Sequence, residues 1–281
     1  MRTYNLNTTL INTKEQMKLR MIKRNKIVSG LLLLLVLGTA CSKSDDNSEE
    51  ATAIVTVNNK RATGSSSRDL LSDVKYKSMV IELVYVTGFE PSAAAINNLV
   101  AFIEARTFKP GGVTVLKKEI PSPAKSMYST ADIAAIEDNN RTKYNNGTEI
   151  AVWAYFSDGA SAENEGNSVV LGTAYRNTSF VIFENTIKMN TSSNPLSNTR
   201  SLLEATVMEH EFGHILGLTN LGATLQSDHE DPANAKHCVV SNCLMYFSSE
   251  MQVGIGAMAA AGRVPQLDAQ CIADLRANGG R

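Results

Sequence analysis

Residues 210–217 read His-Glu-Phe-Gly-His-Ile-Leu-Gly, and no other run constrains the fold as much. Leu202, Leu203, Ala205, Val207 and Met208 lead into it, which predicts one long, largely apolar helix over residues 199–216. Four helical residues rise about 6 Å and overshoot a full turn by about 40°, so His210 and His214 leave the helix on one side. Two neutral imidazoles placed this way can reach one metal ion, and zinc accepts such a pair with a position left open for water. Glu211 stands beside the first imidazole, where a carboxylate can take a proton from metal-bound water as it attacks a carbonyl. Gly217 comes three residues after His214 and lets the helix stop and turn sharply.

The chain ahead of this helix alternates. Residues 78–87 are β-rich and nearly continuously apolar, as in a buried strand. Pro91 opens a helix to about residue 106, with Ile96, Leu99, Val100 and Ile103 on one face. Residues 113–116 read as a second strand, and Ser129 or Thr130 caps a short helix through about residue 137. Residues 149–156 and 179–184 are further strands, with a Gly-, Ser- and Asn-rich surface loop over 157–168. After the motif the chain is irregular until a last helix over 265–277. The expected fold is therefore α/β (α+β): a mixed twisted sheet, an active-site helix, and a loop-rich C-terminal subdomain ending in a helix. The apolar content of 43% supports a real core in a domain assigned to residues 71–281. Lys and Arg are scattered and the net charge is −1, which gives nucleic acid nothing to bind.

The N-terminus reads as an address. Lys23, Arg24 and Lys26 precede the apolar run 27–40, which ends in small residues, as a secretory signal does. As a helix the run would rise about 21 Å, short of the ~30 Å of a bilayer core. Residues 1–40 are thus expected to be a signal peptide; Met17 and Met21 are alternative starts, with 1–16 a misassigned beginning. Gly-Thr-Ala-Cys at 38–41 resembles the lipobox of bacterial lipoproteins, which implies lipidation of Cys41. Residues 41–70 would then be a lipid-anchored linker with one apolar patch at 53–57, and the protein a monomer on the outer membrane or cell surface.

The motif with its glycine resembles the metzincin pattern H-E-x-x-H-x-x-G-x-x-H, in which the chain turns at Gly and returns a third His to zinc. The position matching that His is Asn220, and an amide oxygen is a weak zinc ligand. Residues 237–245, His-Cys-Val-Val-Ser-Asn-Cys-Leu-Met, resemble the archaemetzincin continuation of His, Cys, four residues, Cys, one residue and Met. The resemblance implies His237 as third ligand of one zinc per chain, 218–236 as an insertion, and Met245 as the Met-turn beneath the metal. His229 is the rival ligand, and Glu230 the candidate of a weaker gluzincin reading. Some metzincins carry a Tyr two residues after the Met; here Tyr246 follows directly. Archaemetzincins go on to a C-x-x-C pair and a second zinc, where this chain has only Cys271. In an oxidising compartment a Cys238–Cys243 disulfide would steady His237, with Cys271 a buried free thiol. The strand at 179–184 has the place of the edge on which metzincins lay an extended peptide. Two functions are thereby expected: a zinc endopeptidase acting on peptides or proteins, with Glu211 as general base, or a non-catalytic surface-binding lipoprotein that keeps the metal site.

Overall fold

The structure is a computed structural model and describes residues 56–166, 168–192, 198–251 and 261–281. The signal run, Cys41 and most of the 53–57 patch lie outside the described residues. Among the described residues no helix is long and apolar enough to cross a membrane.

The elements, in chain order, are α1 (Ser67–Leu71), β1 (Ser78–Val86), α2 (Ala93–Arg106), β2 (Val113–Ile120), β3 (Met127–Tyr128), α3 (Thr130–Asn140), β4 (Glu149–Phe156), β5 (Ala160–Ser161), β6 (Gly172–Arg176), β7 (Ser179–Ile182), α4 (Glu184–Thr191), α5 (Thr199–Ile215), a 3-10 turn (Phe247–Glu250) and α6 (Ala269–Ala277). Five strands form a mixed sheet in the order β2-β1-β4-β7-β6. β2, β1, β4 and β7 are parallel, while β6 runs antiparallel to β7. β3 and β5 make a small separate pair.

The near-continuous apolar strands β1 and β4 take the centre, where both faces are covered. Ile150, Val152, Ala154 and Phe156 of β4 face the core shared with α2 and α5, while Trp153 and Tyr155 face the one shared with α3. Ser129 caps α3 in a reciprocal box with Asp132, and Ser92 caps α2 by accepting from the Ala95 amide. α5 is buried along nearly its whole length, so it is an inner helix rather than an amphipathic surface one.

Three expectations are corrected. The strand at 179–184 is not the edge: β7 lies between β4 and β6, and β6, a strand the sequence reading passed over, is the edge. Gly-Thr-Ala-Tyr-Arg offers neither an apolar run nor clean alternation, and its pairing depends on the hairpin with β7. The second strand runs on to Ile120, because pairing with β1 carries its polar half. The folded part begins before residue 71. Asn59 is fully buried and its amide donates to Asn145, the Ala151 carbonyl and Thr178. Ser67 in α1 donates to the Leu216 carbonyl at the end of α5.

Candidate metal centre

α5 presents His210, Glu211 and His214 from its last turns, all buried. Gly217 then takes φ +87°, and a Cβ there would come within 2.6 Å of the Ser67 hydroxyl and 2.7 Å of the Ala223 amide. Only glycine makes this left-handed, close-packed turn without strain. Thr219 and Asn220 stay left-handed at φ 51° and 69°, which sends the chain away from the helix. Asn220 is exposed and its amide donates to Glu230, so it serves the turn and contributes nothing to the histidines. Glu230 is held in this loop by Asn220 and the Lys236 amide, which accounts for both of its oxygens.

The insertion loops out and returns at His237. Its ring centre lies 5.3 Å from that of His210 and 5.2 Å from that of His214, and the first two rings are 4.7 Å apart. His210 Nδ1 lies 2.8 Å from the Leu244 carbonyl. A carbonyl only accepts, so Nδ1 carries the proton and Nε2 is left as a lone-pair donor facing the other two rings. Met245, next in the chain, is fully buried, and its sulfur rests against Gly213, where any Cβ would collide with it. An apolar floor thus lies beneath the histidines. Tyr246 is half-buried and meets Phe247 at a tilt of 54°, with ring centres 4.7 Å apart.

Glu250 is a fourth member that sequence reasoning missed. Its carboxylate lies 3.0 Å from His237 Nε2, 3.7 Å from His210 Nε2 and 4.0 Å from His214 Nε2. Nothing in Phe-Ser-Ser-Glu advertises this role; only the fold-back of the 3-10 turn supplies it. Burial holds the His210 imidazole down to about 4 and that of His214 well below the usual range. Both rings are therefore neutral at neutral pH, the form that binds metal. Burial, reinforced by facing Glu250, pushes the Glu211 carboxyl well above the usual carboxylate range. The two Glu211 oxygens and His210 Nε2 are buried without a hydrogen-bond partner. Three convergent imidazoles, two carboxylates and these orphaned polar atoms suit a zinc ion, whose ligands are nitrogen and oxygen donors of this kind. A cleft of about 180 Å³ opens onto the group, where Thr173, Ala174 and Lys236 line it together with Glu211, His214, His237 and Glu250.

Comparison of the whole chain with known proteins finds similar solved structures, among them the following three. An archaemetzincin from Methanopyrus kandleri is 18% identical, with 72% of this chain covering 96% of that one at a TM-score of 0.49. A zinc-dependent peptidase from Methanocorpusculum labreanum is 13% identical, over 69% and 99% of the two chains, with a TM-score of 0.46. Metalloproteinase-II from Bacteroides fragilis is 14% identical, over 74% and 56%, with a TM-score of 0.36. No protein-family model and no curated protein matches the chain.

His229, the rival third ligand, belongs elsewhere. Its Nε2 lies 2.8 Å from Asp274 Oδ2, and its Nδ1 lies 3.5 Å from Cys238 Sγ and 4.0 Å from Cys271 Sγ. The expected Cys238–Cys243 disulfide is absent: among the described residues Cys238, Cys243 and Cys271 are free and buried, with Cys243 Sγ 3.7 Å from Cys271 Sγ. The reason is the neighbourhood. Cys271, from the first turn of α6, and His229, from the insertion, converge on the same point, so the thiols meet as a cluster rather than as a pair. Asp268 caps α6 and lies 3.7 Å from Cys243 Sγ. A carboxylate on one imidazole nitrogen, with thiols around the other, is the arrangement that orients a metal-binding histidine.

Proposed function

We propose that the chain is a zinc-dependent endopeptidase in which His210, His214 and His237 hold the ion and Glu211 is the general base. The observation that carries this reading is the convergence of three imidazoles on one another, with Glu211 lining the same cleft. Zinc, when bound, supplies a Lewis acid and lowers the pKa of its water to about 7. The chain's own residues do the rest. Leu244 fixes the His210 tautomer through Nδ1. Met245 keeps water out from below. Glu211 takes a proton from the attacking water and returns it to the leaving amine. The substrate is a peptide or protein paired in extended form along β6, whose residues Thr173 and Ala174 line the cleft.

His229, Cys238, Cys243 and Cys271 are proposed to hold a second, structural zinc, in place of the single ion per chain expected from the sequence. Sulfur and nitrogen donors about 2.0–2.3 Å from a tetrahedral ion stand roughly 3.3–3.8 Å apart, close to the 3.5, 3.7 and 4.0 Å separations in this cluster. Lipidation of Cys41 and display on a bacterial membrane complete the proposal.

A second reading has one observation in its favour. The presence of Glu250 beside the three histidines gives four protein donors, as in a closed, non-catalytic site on a surface-binding lipoprotein. Glu211→Gln separates the two. The enzyme reading expects unchanged metal content and loss of peptide hydrolysis. If the wild type holds zinc yet cleaves nothing in a broad peptide library, the binding protein is the better account.

A further inference from the structure

The reaction as proposed gives Glu250 nothing to do, yet its placement is specific. Donors about 2.0–2.2 Å from a tetrahedral zinc lie roughly 3.3–3.5 Å from one another. The Glu250 oxygens stand 3.0, 3.7 and 4.0 Å from the three Nε2 atoms, which puts the carboxylate at the fourth corner, where water must sit for hydrolysis. The side chain is 19% exposed, so it has turned inward from a turn that could have left it in solvent.

The backbone explains how it is held. Glu250 ends the 3-10 turn that follows the Met245 floor. Its carbonyl accepts from the Leu171 amide at 2.8 Å, and Met251 bridges Val170 in antiparallel fashion. Leu171 in turn gives its own carbonyl to the Phe183 amide, just past β7. The segment that delivers the carboxylate is therefore paired to the outer side of the chain entering β6, in line with the edge a peptide would use. His210 and His214, by contrast, are fixed by a buried helix, while His237 is held on the returning loop, where its amide donates to the Asn234 carbonyl and its carbonyl accepts from the Asp231 amide. Of the four donors, Glu250 is the one whose clip is to the chain entering β6, so it is the one a strand added along that edge would disturb.

We propose that Glu250 is the fourth ligand of the resting metal, carried on a clip at the head of β6 and displaced when a substrate or a metal-directed inhibitor enters. The proposal rests on the zinc-centre reading. It makes the site closed at rest and open on binding, so that pairing along β6 and exposure of the metal are one event. It also reconciles four protein donors with hydrolysis, which needs one position free.

The test uses the cobalt-loaded full chain, in which histidine-bound cobalt is followed by its visible bands and the cysteine cluster separately by thiolate charge transfer. Acetohydroxamate, a small chelating anion, is titrated into wild type, Glu250→Ala and the shape-conserving Glu250→Gln. Both variants should bind it at least about 10-fold more tightly than wild type. Both should also surrender cobalt to a competing chelator about 10- to 100-fold more readily, as befits the loss of a ligand. Equal hydroxamate binding and equal cobalt retention in all three proteins would overturn the proposal while leaving the zinc centre intact. If the wild-type visible bands are absent, or are unmoved by His237→Ala, the zinc-centre reading fails and this proposal with it.

Discussion

Gly172 opens β6 directly against the motif helix, and Gly172→Ala tests whether that contact sets the general base. An added Cβ would lie 2.7 Å from Glu211 Oε1, 2.8 Å from Glu211 Cγ and 2.7 Å from Val207 Cγ1. Ordinary carbon contacts begin near 3.5 Å, so the methyl intrudes by roughly 0.7 Å on two side chains of one buried helix. Both side chains are fully buried, but Val207 is packed into the main core while the unbranched Glu211 borders the cleft, so Glu211 is the one expected to turn aside. Overpacking of this kind costs about 1–3 kcal/mol, offset by some 0.4–1 kcal/mol from the stiffer unfolded chain. For a domain of this size the melting temperature should fall by no more than roughly 10 °C. Displacing a catalytic group by about 1 Å can cost about 100-fold in rate, so kcat should drop about 10- to 100-fold. None of the nearest atoms belongs to an imidazole, so zinc content should not change. A fluorogenic peptide assay, metal analysis and a melting curve on the same sample decide the matter. Wild-type kcat in a folded, zinc-loaded variant would mean that the edge strand does not position Glu211, or that Glu211 is not the base.

Three further outcomes are expected. His237→Ala and His214→Ala should each lose the histidine-held ion, whereas His229→Ala should lose only the ion of the cysteine cluster and Asn220→Ala neither; metal counts per chain that fall the other way would reassign the ligands. Glu209 is 3% exposed and burial pushes its carboxyl up to about 8, with Arg106 offsetting part of the shift. Its folded pKa lies above the unfolded value, so its stabilising contribution is complete below about pH 4.5 and is lost as pH rises toward 8. At about 1.4 kcal/mol per pKa unit, the wild type should lose about 3 kcal/mol of stability between pH 5 and 7 that Glu209→Gln retains; denaturant melts with the same pH slope in both proteins would refute this. Cys41→Ala should move the protein from the membrane fraction to the soluble one, and a variant that still sediments with membrane would favour a spanning anchor.

What could be read from the sequence was what short-range periodicity encodes. His210, Glu211 and His214 fall on one helix because spacing on a helix is geometry. Strands β1 and β4 were legible because burial on both faces writes an unbroken apolar run. His237 was reached through its spacing to Met245, and the structure brings it to the other two rings. The remainder depends on contacts between distant segments. Edge strand β6 has no pattern of its own, and α4, over Glu-Asn-Thr-Ile-Lys-Met-Asn-Thr, is too polar to stand out. Cys271 and His229, 42 residues apart, meet only when α6 docks against the insertion, so two of the cysteines looked like a pair. Glu250 is invisible until the turn after Met245 folds back over the helix end.

The Ser67 hydroxyl, in the stretch that reads as a tether, is where three distant parts of the chain are pinned together. It donates to the Leu216 carbonyl at the end of the motif helix and accepts from the Asn278 amide just beyond α6, and its bulk fills the space that a side chain at Gly217 would need. Proteolytic removal of a leading segment can release a stored, strained state. Here a protease that trimmed the chain back to residue 71 would strand a buried carbonyl at the very turn that ends the motif helix. Under the peptidase reading, such clipping is expected to disable the site rather than to mature it.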